Sequence, residues 1–149
     1  MMIEPQLNIR PAQPSDGQGL SRLLVQLGYA VEPKRIERMI YVADSDLETI
    51  VIAEIEGQPV GLISVIYFDY FPTAERYARV TALVVDDDSR NQGIGSELLA
   101  YARQSAAEQG CACLEVTSAE SREVACQFYE DAGFQRTGFK FIMPVMKTD

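Results

Sequence analysis

Residues 89–96 read Ser-Arg-Asn-Gln-Gly-Ile-Gly-Ser, a cation and two glycines set between a run of branched residues and a helical stripe. That combination binds anions. Gly93 and Gly95 let backbone approach a ligand closely, and the first N–H groups of a following helix have no partner inside it. The helix dipole adds its favourable end at the same place. About thirty residues later comes Ala125-Cys126-Gln127-Phe128-Tyr129-Glu130-Asp131-Ala132-Gly133-Phe134, which puts the phenol of Tyr129 on a second helical stretch. A phenol is protonated at pH 7 and can donate that proton. Taken alone, Tyr129 reads more safely as an aromatic core residue with a bonded hydroxyl. Three cysteines complete the reactive side chains, and the chain has no histidine. Cys111 and Cys113 alternate on a strand and read as small core residues. Cys126, one helical turn before Tyr129, has no histidine to activate it, and the cysteines make no metal-binding spacing.

The elements that must position these groups follow from periodicity. Val80, Leu83, Val84 and Val85 make residues 77–85 a buried strand, and Ile94, Leu98, Leu99, Ala102 and Ala106 recur at helical spacing after the glycines. Before this unit, residues 7–10 read as a short strand and Pro11 to Asp16 as a turn into a helix. Leu20, Leu23, Leu24 and Leu27 form the stripe of that helix, which Gly28 breaks. Pro33 opens a second helix carrying Ile36, Met39 and Ile40. Residues 49–56 and 59–70 form a β-hairpin about Gly57-Gln58, with Gly61 marking a bulge or a close approach. After the central helix, Gly110 supplies a cap, residues 111–117 a strand, and residues 122–132 a last helix ended by Gly133. Residues 134–137 and 139–145 read as closing strands. No repeat, linker or low-complexity segment interrupts the pattern, so residues 1–149 form a single mixed α/β domain.

Composition narrows the function classes. At 149 residues, 47% hydrophobic and 23% charged, the chain can bury a core without disulfides or a metal. A net charge of −9 argues against nucleic acid and is compatible with cationic substrates or with solubility alone. Residues 1–10 lack an apolar leader core, and the longest apolar run, residues 60–68, is too short to cross a bilayer. No membrane association and a cytoplasmic location are therefore expected. The odd number of cysteines fits reduced thiols there.

Two familiar loops do not fit the glycines. Leu98 stands where a dinucleotide-binding G-x-G-x-x-G needs a small residue, and no G-x-x-x-x-G-K-[ST] occurs. What remains is Arg90-x-x-Gly93-x-Gly95 after Ala82-Leu83-Val84-Val85-Asp86-Asp87, linked to the A-x-x-F-Y-x-x-x-G-F run that holds Tyr129. In order and spacing these motifs resemble those of the GCN5-related N-acetyltransferases (GNAT), and the resemblance extends over nearly the whole chain. It implies a mostly antiparallel sheet of about six or seven strands flanked by about four helices, with a splayed central strand pair holding acyl-CoA. It implies acetyl-CoA as cosubstrate, with pantetheine bonded to backbone at Leu83, Val84 and Val85. The pyrophosphate then falls to Arg90, Asn91, Gln92, Gly93, Ile94, Gly95 and Ser96, whose N–H groups need no metal for the task. Asp86, Asp87 and Asp88 are then expected to face solvent.

The same resemblance implies N-acetyl transfer to a primary amine in a ternary complex, with Tyr129 as the general acid for the departing CoA thiolate. It allows a homodimer, on which the residues are silent. Many members place a glutamate on the central strand that helps remove the amine proton; the matching position here is Thr81, which cannot take a proton near pH 7. Asp69 and Glu75 are the nearest acidic substitutes in sequence, and both also read as surface carboxylates. Tyr67, Phe68, Tyr70 and Phe71 either wall the acceptor site or belong to the core. The rival readings are a non-catalytic acyl-CoA-binding or regulatory protein and an interaction module with no ligand. The acceptor, a small molecule or a protein amine, is not legible.

Overall fold

The computed structural model describes residues 6–117, 123–137 and 143–145. The chain divides into two compact units, Met1–Val116 and Thr117–Asp149. The first holds a five-stranded sheet in the order β1-β2-β3-β4-β5: β1 Leu7–Pro11, β2 Glu48–Ile55, β3 Gln58–Tyr70, β4 Glu75–Val85 and β5 Cys113–Val116. The first three pairings are antiparallel and β4 with β5 is parallel. Three helices complete this unit: α1 Gly17–Leu27, α2 Pro33–Val42 and α3 Ile94–Glu108; α4, Glu123–Asp131, belongs to the second.

Alternation assigns the faces. Ile52, Leu62 and Val84 lie in register on one face, where Leu20, Leu23 and Ile36 of α1 and α2 pack on them. Ala53, Gly61 and Val85 lie in register on the other, which α3 covers with Ile94 and Leu98. At Gly61 an added Cβ would come within 3.0 Å of Leu98 and 3.1 Å of Ile94, so glycine is required for α3 to lie this close to the sheet. Val60 stands opposite no residue of β2 and is the adjoining bulge. The hairpin between β2 and β3 turns at Glu56 (φ 52°) and Gly57 (φ 77°), the two left-handed residues that match the twist of the strands.

Several expectations need correction. Residues 134–137 form no strand, and most of the other expected closing strand, residues 139–142, lies outside the described residues; among the described residues the sheet has five strands, against the six or seven expected. Cys111 is half-buried and Cys113 exposed, because β5 is the last strand of the sheet. Met39 is 59% exposed: Ile36 and Ile40 face the core, and Met39 lies off that stripe. Asp86 does not face solvent. It is 7% exposed, and its carboxylate accepts from Arg22 at 2.5 Å, from the Gln26 amide at 3.4 Å and from the Asp88 N–H at 3.2 Å. Arg22 also donates to the Pro59 carbonyl, and the Asp86 N–H to that of Val60, so the end of β4 is tied to α1 and to the start of β3.

Asp16 does similar work at the other end of α1. It takes bonds of 2.9 and 2.8 Å from Arg10 and one of 2.7 Å from the Gln13 N–H, joining β1 to the helix start. Burial pushes the Asp16 carboxyl up, but the Arg10 and Gln13 bonds outweigh it and leave the group below its ordinary value. The Arg22 bond is the largest cause holding Asp86 below its own. Both carboxyls are thus more acidic folded than unfolded. The stability they add is present above their unfolded values of about 4 and is lost as pH falls through the folded ones. Because Arg22 is half-exposed, we expect Asp86→Asn to cost only about 1–2 kcal/mol at pH 7. It should also reduce the loss of stability between pH 7 and pH 3. Urea unfolding at the two pH values measures both; an unchanged midpoint at pH 7 would remove the Asp86 clamp.

Candidate functional site: an open strand edge beside a helix N-terminus

β4 outlasts its partner. Its pairing with β5 runs only from Tyr77 opposite Cys113 to Val80 opposite Val116, while β4 itself continues to Val85. Along residues 81–85 the backbone on that side has no strand partner among the described residues. The change comes at a bulge: Ser64 of β3 stands opposite Ala82 and Val65 opposite Val80, so Thr81 is an extra residue in β4. A bulge bends its strand and increases the local twist, which opens β4 at this point. Thr81 is exposed there, with its hydroxyl 2.6 Å from that of Ser64.

The open edge ends at the anion loop. After Val85 the chain makes a 3-10 turn, Asp87–Ser89, for which Asp86 is the N-cap, and then passes through two left-handed residues, Asn91 (φ 65°) and Gly93 (φ 79°), into α3. The first bond inside α3 runs from the Glu97 N–H to the Gly93 carbonyl, so the N–H groups of Ile94, Gly95 and Ser96 point out of the helix end. Gly93 caps α3 without a side chain, and an added Cβ there would meet nothing within 4 Å. This is a cradle of unpaired donors under open space, the arrangement an oxyanion or pyrophosphate requires.

The expected binding residues fall into distinct roles. Leu83 and Val85 are half-buried on the α3 side, whereas the Val84 side chain is 5% exposed within the α1 and α2 core, so only its backbone is offered to the edge. Gln92 and Ser96 flank Gly93 to Gly95 on the surface. Arg90 is turned aside: it pairs with Asp87 at 2.7 Å and lies 3.4 Å from the Val85 carbonyl. In this arrangement the cradle relies on N–H groups and the helix dipole rather than on a guanidinium.

Tyr129 lies on α4 in the second unit, half-buried, with its ring edge-on to Phe128 at 5.6 Å and to Phe134 at 5.7 Å. Gly133 (φ 104°) ends that helix, and the Phe134 N–H returns to the Tyr129 carbonyl at 3.0 Å. Asp69 and Glu75 are both exposed at the β3–β4 hairpin, roughly 20 Å of strand from Thr81 in the case of Glu75. Neither sits at the bulge. Of the four aromatics, Tyr67 is core, its hydroxyl 2.6 Å from that of Thr49; Phe68 lies beneath the Arg79 guanidinium; Tyr70 stacks on Tyr77; Phe71 is 94% exposed. The Cys111 thiol is pushed up chiefly by burial, away from the thiolate that a nucleophile needs. No cluster of metal-binding side chains occurs among the described residues.

A cavity of about 350 Å³ lies at the other end of α3, where Glu48, Tyr67, Tyr101 and Glu108 line it. None of residues 90–96 borders it.

Two features escaped the sequence reading. Asp86 holds the loop through partners about sixty residues earlier, and Ser64 meets Thr81 only because of the strand register. No local signal marks either.

We expect Gly93→Val to weaken CoA binding at least about tenfold while the protein stays folded, because a branched residue at φ 79° must rearrange the loop that aims the N–H groups. Calorimetric titration with CoA, beside a thermal melt, reads both; tight binding by folded variant protein overturns the anion-loop assignment.

Comparison with known proteins agrees with this geometry. A model of the acetyltransferase (GNAT) family matches residues 17–134. N-acetyltransferase family 8 member 2 of Rattus norvegicus is 29% identical over 91 residues, 61% of this chain and 40% of the rat protein. Aminoalkylphosphonate N-acetyltransferase of Salmonella typhimurium is 33% identical over 85 residues, 57% of this chain and 55% of that protein. The chain thus spans about half the length of the curated relatives it matches. An aminoglycoside N-acetyltransferase solved in complex with CoA shares the fold, with a TM-score of 0.84 over 97% of both chains at 15% identity.

Proposed function

Because this chain belongs to the acetyltransferase (GNAT) family, we propose that it acts as one N-acetyltransferase domain, carrying acetyl from acetyl-CoA to a primary amine in a ternary complex. The observation that carries this reading is the continuity of two features: a strand edge, residues 81–85, with no partner strand among the described residues runs straight into the N–H cradle of α3. A cosubstrate with a pyrophosphate at one end and an amide-bearing arm at the other matches both, the phosphates on Gly93, Ile94, Gly95 and Ser96 and the arm along Leu83, Val84 and Val85. Anchored in this way, the thioester comes to the far end of the edge, at the Thr81 bulge.

The chemistry then needs few groups. The lone pair of a neutral amine attacks the thioester carbonyl; the C–N bond forms, the C–S bond breaks and the electron pair leaves on sulfur. The Tyr129 phenol, chosen for its place in the F-Y-x-x-x-G-F run, protonates that thiolate, and the proton lost by nitrogen returns through water to the phenolate. Thr81 takes no proton in this scheme. Its presence is also what favours a second reading, a non-catalytic acyl-CoA binder, since neither Asp69 nor Glu75 stands at the bulge.

Thiol release from acetyl-CoA in the presence of 2-aminoethylphosphonate, glucosamine 6-phosphate, kanamycin, spermidine and an alanine-starting peptide separates the two. Acetylation of any of these establishes an enzyme, whereas tight acetyl-CoA binding with no transfer to any leaves the binder. Within an active enzyme, Tyr129→Phe keeps the ring and removes the acid, so kcat should fall roughly 10²-fold with acetyl-CoA affinity little changed. An unaltered kcat, with chemistry rate-limiting, would take Tyr129 out of the mechanism.

A further inference from the structure

The two hydroxyls at the bulge have only one assignment of hydrogens that satisfies both of their contacts. Thr81 Oγ1 lies 3.2 Å from the Ser64 carbonyl, which can only accept, and 2.6 Å from Ser64 Oγ. Threonine has a single hydroxyl hydrogen. When it goes to the carbonyl, the short contact must be filled by the Ser64 hydrogen, donated to Thr81. Both hydrogens are then committed, and Ser64 Oγ keeps its lone pairs with no donor aimed at them among the described residues.

Ser64 lies on the face shared with Ile50 and Ala82, in the register row beside the extra residue Thr81. The hydroxyl pair is open to solvent, while Ile50 and Ala82 beside Ser64 are partly buried against the cluster that α1 and α2 form over Ile52, Leu62 and Val84 of the same face. A ligand reaching the bulge from this side therefore meets an oxygen that accepts and does not donate.

We propose that Ser64 is the substrate-binding residue for the acceptor amine, its Oγ receiving one N–H and so turning the nitrogen lone pair toward the thioester. Thr81 is the positioning residue that fixes the polarity of Ser64. This rests on the acetyl-transfer reading above. The pair orients the amine and removes no proton, because its hydrogen-bond chain ends at a peptide carbonyl, which is not a base near pH 7. The bond-making step is unchanged: C–N forms, C–S breaks, and the proton leaving nitrogen goes to water. Acceptors are thereby restricted to amines that keep an N–H free for Ser64 while the lone pair attacks, so primary amines are preferred to hindered secondary ones.

The test uses whichever of the five amines named above the wild-type protein acetylates fastest. In Ser64→Ala we expect the acceptor KM to rise about fivefold to tenfold, with kcat within about threefold and the acetyl-CoA Kd unchanged. Thr81→Val frees the Ser64 hydrogen and should raise the acceptor KM in the same way; Thr81→Ser, which keeps the hydroxyl, should recover what Thr81→Val loses. A merely structural pair would instead weaken acetyl-CoA binding, since the bulge opens the strand edge, and that outcome overturns the assignment. An unchanged acceptor KM in Ser64→Ala also overturns it while leaving acetyl transfer standing. If Ser64→Ala does not fold, the contrast between Thr81→Val and Thr81→Ser decides by the same measurements. No transfer by wild-type protein to any of the five amines overturns the acetyl-transfer reading and this inference together.

Discussion

A single buried carboxylate governs the geometry of the candidate site. Asp86 stands at the point where β4 gives way to the anion loop, and its oxygens are shared by Arg22, Gln26 and the Asp88 N–H. Two of the next residues, Asn91 and Gly93, hold left-handed backbone, which asparagine and glycine adopt more readily than other residues. The Asp86 interactions fix the entry to this loop, and the packing of Ile94 against the sheet fixes its exit. Since Gln26 also accepts from the Asp87 N–H at 2.9 Å, the first helix grips the turn by backbone as well as by charge. The helix α1 is far from the loop in sequence, yet it holds the loop's entry in place.

Much of the fold was legible because it rests on local rules. The stripe Ile94, Leu98, Leu99, Ala102 and Ala106 is the buried face of α3, and Gly28, Gly57, Gly93 and Gly133 all take the left-handed backbone that turns and helix ends demand. Where the reading failed, the deciding contact was distant. Asp86 looked like one of three solvated acids, because nothing near it in sequence announces Arg22. The bulge at Thr81 is a property of register between β3 and β4, and a single strand carries no mark of it. Residues 134–137 read as a closing strand, but strand propensity expresses a half-buried environment rather than a backbone preference, and these residues are not in a strand. The anion loop was therefore foreseeable, whereas the acceptor side of the bulge was not.

The balance of charge at the bulge also bears on how acetyl transfer proceeds under the proposed function. Asp69 and Glu75 are exposed at the hairpin end, and Glu115 is engaged with Arg79. With hydroxyls in place of a carboxylate at the reacting end, an ammonium is not drawn there by opposite charge, and the amine must be neutral before it attacks. Selectivity then depends on shape and on hydrogen-bond direction, which discriminate among substrates by leaving buried or misdirected polar groups unmade.

The unpaired stretch of β4 has a consequence beyond recognition. A strand edge with free N–H and C=O groups is a template for any other chain, and proteins ordinarily cover such edges with charge, bulges or another element. Here the Thr81 bulge interrupts the edge, and residues 81–85 have no partner strand on that side among the described residues. Under the proposed function, an acyl-CoA arm lying along them would take the place of a strand, so the cosubstrate would also be a part of the sheet. Saturation with acetyl-CoA would then raise the apparent stability by mass action, so that the sheet and the cosubstrate melt as one.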